Sequence, residues 1–412
     1  MKTLFIMVFM VLVLGADLKV TIFPYIHWGI WCILIFPMII KGIFKKGLVL
    51  SPMLSLASLL IIIGMISSFF WGINTDNAIQ IVKLCLILLT LYYFLYYSEI
   101  GWKEIDISIN VILILNFIFL ILGILGFTGM ASLMTADGRW GTFFAYPGSL
   151  VKIGAWGFYF NILSLLLLEK KIQKINRLIL LIMSLFIIYM DGSRTGMLII
   201  FATLFIILLI YFLINYRNKF KAFIVPIYVI SIFLSGIIIL LPDLLKSRVV
   251  KSIFNLFNST SISKGLELVD SARFMMLKSA INKIYDSPII GTGAFTTIGV
   301  YEDGSSMVVH NTYLQFWGDF GIFGILGLLL LYFGWLALLP KVFYKLQKNN
   351  NMQENILVSS SILMLLYFVI NGLFHPYSTE LSEWIIFIIS LTYFYNYYRE
   401  NKKEQLYSLI DE

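Results

Sequence analysis

The pair His310-Asn311 is followed, after nine residues, by Gly321-Ile322-Phe323-Gly324, where a polar interval passes into a long apolar run. His310 is one of three histidines in the chain. An imidazole exchanges protons near neutral pH, so a histidine at the border of a wet loop and an apolar helix suits proton transfer beside a lipid. Three arginines belong with it. Arg139 sits in Asp137-Gly138-Arg139-Trp140-Gly141, and Arg194 in the tight turn Asp191-Gly192-Ser193-Arg194-Thr195-Gly196. Arg273 follows Asp270 by three residues, a spacing at which the carboxylate can orient the guanidinium. Arginine grips phosphate bidentately and keeps its charge. One base among several arginines therefore fits group transfer from a lipid diphosphate, with the arginines steadying the diphosphate as it leaves and His310 activating the attacking hydroxyl. Each residue also has a plainer reading: Arg194 snorkelling to headgroups, Arg139 paired with Asp137, His310 bonding backbone at a helix entry.

Other chemistries find little support. There is no Gly-x-Ser-x-Gly elbow for serine hydrolysis. Tyr301-Glu302-Asp303 is a weak metal pattern, no His/Cys cluster has ligand spacing, and no metal or cofactor is expected. Gly291-Thr292-Gly293 reads as a flexible turn, because no Gly-Lys-Ser/Thr follows it. Cys32 and Cys85 both fall inside apolar stretches and imply no disulfide framework. His27 falls within a span, and His375 reads as a residue that caps or packs at a helix end.

The elements that must position these groups are membrane helices. Of 412 residues, 60% are hydrophobic and 13% charged, against about 25% charged in soluble domains. The net charge of +8 comes from cations flanking apolar spans, so nucleic acid is not expected as a partner and the lipid bilayer is. Lys2 and the apolar run to Ala16 resemble a signal peptide, but Leu14 at position −3 is not small, and the run reads as a short first span. Apolar stretches lie at 3–16, 21–40, 48–70, 77–98, 107–127, 149–168, 177–190, 195–215, 222–241, 316–338, 355–374 and 382–398. Most are near the ~20 residues a helix needs to cross a bilayer, and none alternates as a barrel strand would. The expected fold is an all-α polytopic membrane protein of about twelve spans. Nine helices occupy 1–241, a large, partly helical loop 242–309, three more helices 310–398, and a tail 399–412.

Basic residues cluster in the connections after alternate spans, among them Lys41, Lys45, Lys46, Lys170, Lys171, Arg217, Lys341 and Arg399. The positive-inside rule makes that side cytoplasmic, together with both termini, and sets Arg139, Arg194, the loop 242–309 and His310 outside. Within the loop, Leu245, Val249, Ile253 and Phe257 recur every four residues, as in an interfacial or bundle-packed helix. A second helix is expected over 271–285, with Phe274, Leu277, Ile281 and Ile284 on one face and Asp286-Ser287-Pro288 ending it.

In this order the motifs resemble the O-antigen polymerase and O-antigen ligase superfamily. His310-Asn311 with Gly321 and Gly324 is similar to its histidine signature, and Ser193-Arg194-Thr195-Gly196 to its arginine turn. Ser271-Ala272-Arg273, with Pro288 and Gly291-Thr292-Gly293 downstream, is similar to its loop motif, and Arg139 with Phe143 to Pro147 more loosely to an earlier external motif. The resemblance implies glycosyl transfer outside the membrane from an undecaprenyl-diphosphate-linked glycan, without metal or nucleotide sugar. It implies a glycan or lipid acceptor, and a chain-length regulator and a flippase as companion proteins. It carries His310 over as catalytic base, and Arg194, Arg273 and, less closely, Arg139 as diphosphate contacts. Asn311, Ser193, Asp270, Gly321 and Gly324 are supporting residues. A polymerase joins repeat units into O-antigen, capsular or exopolysaccharide; a ligase moves finished glycan to lipid A-core or another acceptor. The reading leans to polymerase because nothing marks a lipid A-core acceptor. The rival from another class is a transporter or flippase, which would carry mid-membrane ionisable residues and inverted repeats. Here Lys83 is the main charged residue inside a span, and no repeat is evident.

Overall fold

Runs of leucine, isoleucine and phenylalanine with few glycines or prolines leave the backbone one way to satisfy its own N–H and C=O groups in hydrocarbon, which is the helix. A computed structural model describes residues 26–46, 52–71, 75–98, 101–127, 132–135, 138–168, 170–215, 271–300 and 306–408. Ten of the expected spans fall within them. They are α1 (Ile26–Lys46), α2 (Pro52–Trp71), α3 (Thr75–Tyr97), α4 (Trp102–Ile124), α5 (Leu150–Leu167), α6 (Lys171–Asp191), α7 (Arg194–Asn215), α9 (Thr312–Phe333), α11 (Met352–Asn371) and α12 (Leu381–Ser408). Among the described residues eight helical stretches are long and apolar enough to cross a membrane. The all-α polytopic expectation is thus met. The expected spans 3–16 and 222–241 and the stripe from Leu245 to Phe257 lie outside the described residues.

Three details differ from the expectation. After α9 the chain continues through a 3-10 turn, Gly334–Leu338, into α10 (Leu339–Lys348), with Pro340 in its first turn, where a proline costs no hydrogen bond. α12 runs on to Ser408, past the point where a tail was expected to begin. The loops also carry two small antiparallel hairpins, β1 (Ser132–Met134) with β2 (Trp140–Thr142) and β3 (Ile298–Val300) with β4 (Ser306–Val308). The expected loop helix is present as α8 (Ser271–Asp286).

α5 and α11 form the centre: 78% and 72% of their span residues are buried, against 28% to 39% for the other spans. α5 packs on α6 and α11, and α11 on α12 and α7. Around them the outward faces stay apolar. Phe44 and Phe205 are 87% and 74% exposed, as suits contact with lipid rather than water. α2 packs along α9, where glycines let the backbones meet: a Cβ on Gly64 would lie 2.7 Å from the Gly324 nitrogen and the Phe320 carbonyl oxygen.

The two ends of the central bundle are built differently. At one end Arg177 of α6 forms a two-pronged pair with Asp106 of α4, at 2.7 and 2.8 Å. Its guanidinium also reaches Asn161 Oδ1 of α5 at 3.4 Å and lies over the rings of Trp102 and Phe160. The other end holds a cavity.

Candidate functional site

The cavity has a volume of about 760 Å³. It is walled by α3 through Gln80 and Lys83, by the segment Phe144–Ile153 leading into α5, by Phe295, by His310, and by His375–Ile386 leading into α12. Arg139 lines it from the strand hairpin.

His310 follows β4 after one residue, Val309. Its Nδ1 lies 3.0 Å from the Val308 carbonyl oxygen, and a carbonyl can only accept, so Nδ1 carries the proton. Neutral imidazole then has its lone pair on Nε2, the form a base requires. Asn311 is the N-cap of α9: its Oδ1 accepts from Leu314 N at 3.0 Å, while its amide donates to the Leu373 carbonyl. The cap fixes the point at which the chain leaves His310 and enters the helix.

Gly321 breaks α9, with φ 66° and ψ −165°. A Cβ there would lie 2.0 Å from the Ile289 carbonyl oxygen. The break releases backbone groups that the loop Gly291-Thr292-Gly293 takes up. Thr292 N donates to the Gly318 and Asp319 carbonyls, Gly293 N donates to that of Asp319, and Ile322 N donates to that of Ile289. Gly291 is as tightly placed, since a Cβ on it would meet the Asp319 carbonyl at 2.4 Å. Two motifs that read separately in sequence are thus halves of one joint.

Asp319, fully buried, completes the joint. Its carboxylate accepts from Phe295 N at 2.7 Å, Thr297 N at 2.9 Å and the Tyr377 hydroxyl at 2.7 Å. Burial first, then the Asp319 carboxylate, hold the Tyr377 phenol well above its ordinary range, so it stays a donor. The Thr297 carbonyl in turn accepts from Val309 N, next to His310. A chain of backbone bonds therefore runs from one buried carboxylate to the histidine.

On the opposite wall, Arg139 pairs with Asp191, which is wholly buried; Asp137 lies outside the described residues. Arg139 Nε donates to the Asp191 carbonyl at 2.9 Å and Nη2 to its carboxylate at 3.0 Å. The other carboxylate oxygen accepts from Gly148 N and Val151 N at the start of α5. Among the described residues two of the five guanidinium N–H groups are used in this way, which leaves three for a ligand. Between these walls stand two ion pairs, Lys83 with Glu380 at 2.7 Å and Lys152 with Glu383, the latter also bonded by Ser149.

The structure therefore brings His310 and Arg139 into one cavity. It does not bring Arg194 there: that side chain is exposed at the first turn of α7, while Ser193 Oγ accepts from Gly196 N. Arg194 is two residues from Gly192, which packs against the Arg139 stem. Arg273 belongs to the first turn of α8, and its side chain, like Asp270, lies outside the described residues. Gly321 and Gly324 act through backbone packing. Sequence reasoning passed over Asp191, Asp319, Lys152, Glu383, Tyr377 and Phe295, and placed His375 only as a packing residue, whereas it lines the cavity. The available signal was a carboxylate inside or ending an apolar span, as at Asp191, Asp319 and Glu383.

Fold and site together define a polytopic helical membrane protein with a polar, cation-bearing cavity at one end of its bundle. Residues 179–329 match the family model described as O-antigen ligase. The match bears out the resemblance to the O-antigen polymerase and ligase superfamily, over a segment that contains Arg194, Arg273, His310, Gly321 and Gly324. Lys83, Arg139, Lys152, Glu380 and Glu383 lie outside it, so part of the cavity wall comes from the flanking helices. No curated protein sequence matches the chain.

Proposed function

We propose that this protein is a glycosyltransferase of the bacterial cytoplasmic membrane that polymerises undecaprenyl-diphosphate-linked repeat units on the outer face. The observation that carries the reading is the cavity itself: His310, with Nε2 unengaged by its backbone bond, shares it with Arg139 and Lys152. The acceptor hydroxyl oxygen attacks the anomeric carbon while His310 Nε2 takes its proton. The bond from that carbon to the diphosphate oxygen breaks, and the diphosphate leaves with the electron pair, inverting the configuration. Arg139 offers its three spare donors to the developing charge. The prenyl chain must stay in the bilayer while the sugar enters the cavity, so the diphosphate straddles the edge. Cations at helix starts suit that place, and Arg194 and Arg273 are assigned to it.

A ligase acting on the same donor is the second reading, which the matched family, described as O-antigen ligase, supports equally. The two share every step except the acceptor. Purified protein in liposomes, given lipid-linked glycan, should form new glycosidic bonds, and a protein that moves the lipid without joining sugars overturns both. In cells lacking the gene, single units left without polymer mean polymerase; polymer left on its lipid carrier means ligase.

A further inference from the structure

Among the described residues Phe295 is the one non-glycine with a positive φ, 58°. A bulky L-residue is disfavoured there because its Cβ crowds the following carbonyl oxygen, and it persists only where the surroundings over-determine it. They do so here. Phe295 N donates to Asp319, and the preceding Ala294 N donates to Asn77 Oδ1 at 2.8 Å. The same loop uses glycine at Gly291 and Gly293, both at positive φ, so the fold has an unstrained residue for such positions. What Phe295 adds is a ring. One face stacks on Tyr377, centroids 4.9 Å apart and planes 26° apart. The ring remains half-buried and lines the cavity that holds His310 and Arg139.

We propose that Phe295 is a stacking platform for a sugar ring of the lipid-linked glycan beside His310, and that Asp319 is the positioning residue that locks it. This rests on the glycosyl-transfer reading above. The C–H face of a pyranose is apolar and fits an aromatic surface, while its hydroxyls need polar partners. Gln80, Ser378, Thr379 and Glu380 supply those on the cavity wall. A prenyl chain in the same place would desolvate these groups, the Lys83–Glu380 pair included, and bond none of them.

The test uses the full chain in liposomes with lipid-linked glycan extracted from its own host cells. Phe295→Gly removes the ring and relieves the backbone, and Phe295→Asn does the same with a side chain that tolerates positive φ. Both should keep or raise the melting temperature while KM for the glycan rises about tenfold. Phe295→Tyr and Phe295→Trp should restore it. Wild-type KM in Phe295→Gly or Phe295→Asn overturns the platform while leaving glycosyl transfer standing, and so does Phe295→Leu matching Phe295→Tyr. If the loss vanishes with a donor of shortened prenyl chain, the ring serves the lipid and the proposal falls. If both ring-removing variants unfold, the ring is structural and the proposal falls as well. A wild-type protein that joins no sugar ends the glycosyl-transfer reading and the platform together.

Discussion

Glutamine in place of His310 can still bond the Val308 carbonyl but cannot accept a proton. Both His310→Gln and His310→Ala should therefore lose about 100-fold or more in turnover, while donor binding survives through the cations. An active His310→Gln protein would sink the base assignment. Asp191 carries a separate expectation. Asp191→Asn halves its capacity to accept from Gly148 N, Val151 N and Arg139 at once, so the folded protein should lose about 1–3 kcal/mol, read as a lower melting temperature. Arg139→Lys keeps the charge but loses the fork that grips Asp191 and still has donors to spare. Transfer should drop strongly while the membrane level stays near wild type. Equal activity of the lysine variant would mean that diffuse charge is enough.

At the level of elements, the joint between the broken α9 and the Gly291–Gly293 turn decides where the histidine stands. A Cβ at Gly321 must displace the Ile289 carbonyl, and the φ/ψ pair there is open to glycine almost alone. Gly321→Ala should therefore cost about 1–3 kcal/mol or more and lower the yield of monodisperse protein in detergent chromatography. A fully folded, active Gly321→Ala would refute the joint. This scale also explains what sequence could and could not reveal. Helices were legible because hydrocarbon imposes one solution on an apolar run, and the extent of α8 was legible from its Asp286-Ser287-Pro288 stop, but its buried face was not: Met276, Ala280 and Ile284 are buried, while Ile281 of the expected stripe is exposed. His310 and the glycines were legible as motifs. The partnership of Gly321 with Gly291 was not, because a helix break is visible only when the loop filling it is in place. Nor could local spacing foretell that Arg139 would reach Asp191, 52 residues away.

For the whole molecule, the orientation inferred from basic residues has a direct test. In a protein without its two native cysteines, Ser259→Cys should react with an impermeant thiol reagent in intact cells, and Asn350→Cys should not. Labelling at Asn350 alone would turn the molecule over and put the cavity in the cytoplasm. The clamp of Arg177 on Asp106 bears on what such a molecule can be. A carrier works like a revolving door and must open each end in turn. Opening the clamped end would part Arg177 from Asp106 and from the rings of Trp102 and Phe160, stranding charges that now satisfy each other. Parting this half-buried pair would give up two charge-assisted bonds at every turn of the door. On the proposed glycosyl-transfer reading the bundle is a cup and not a turnstile: cargo enters and leaves by the same rim, altered in between.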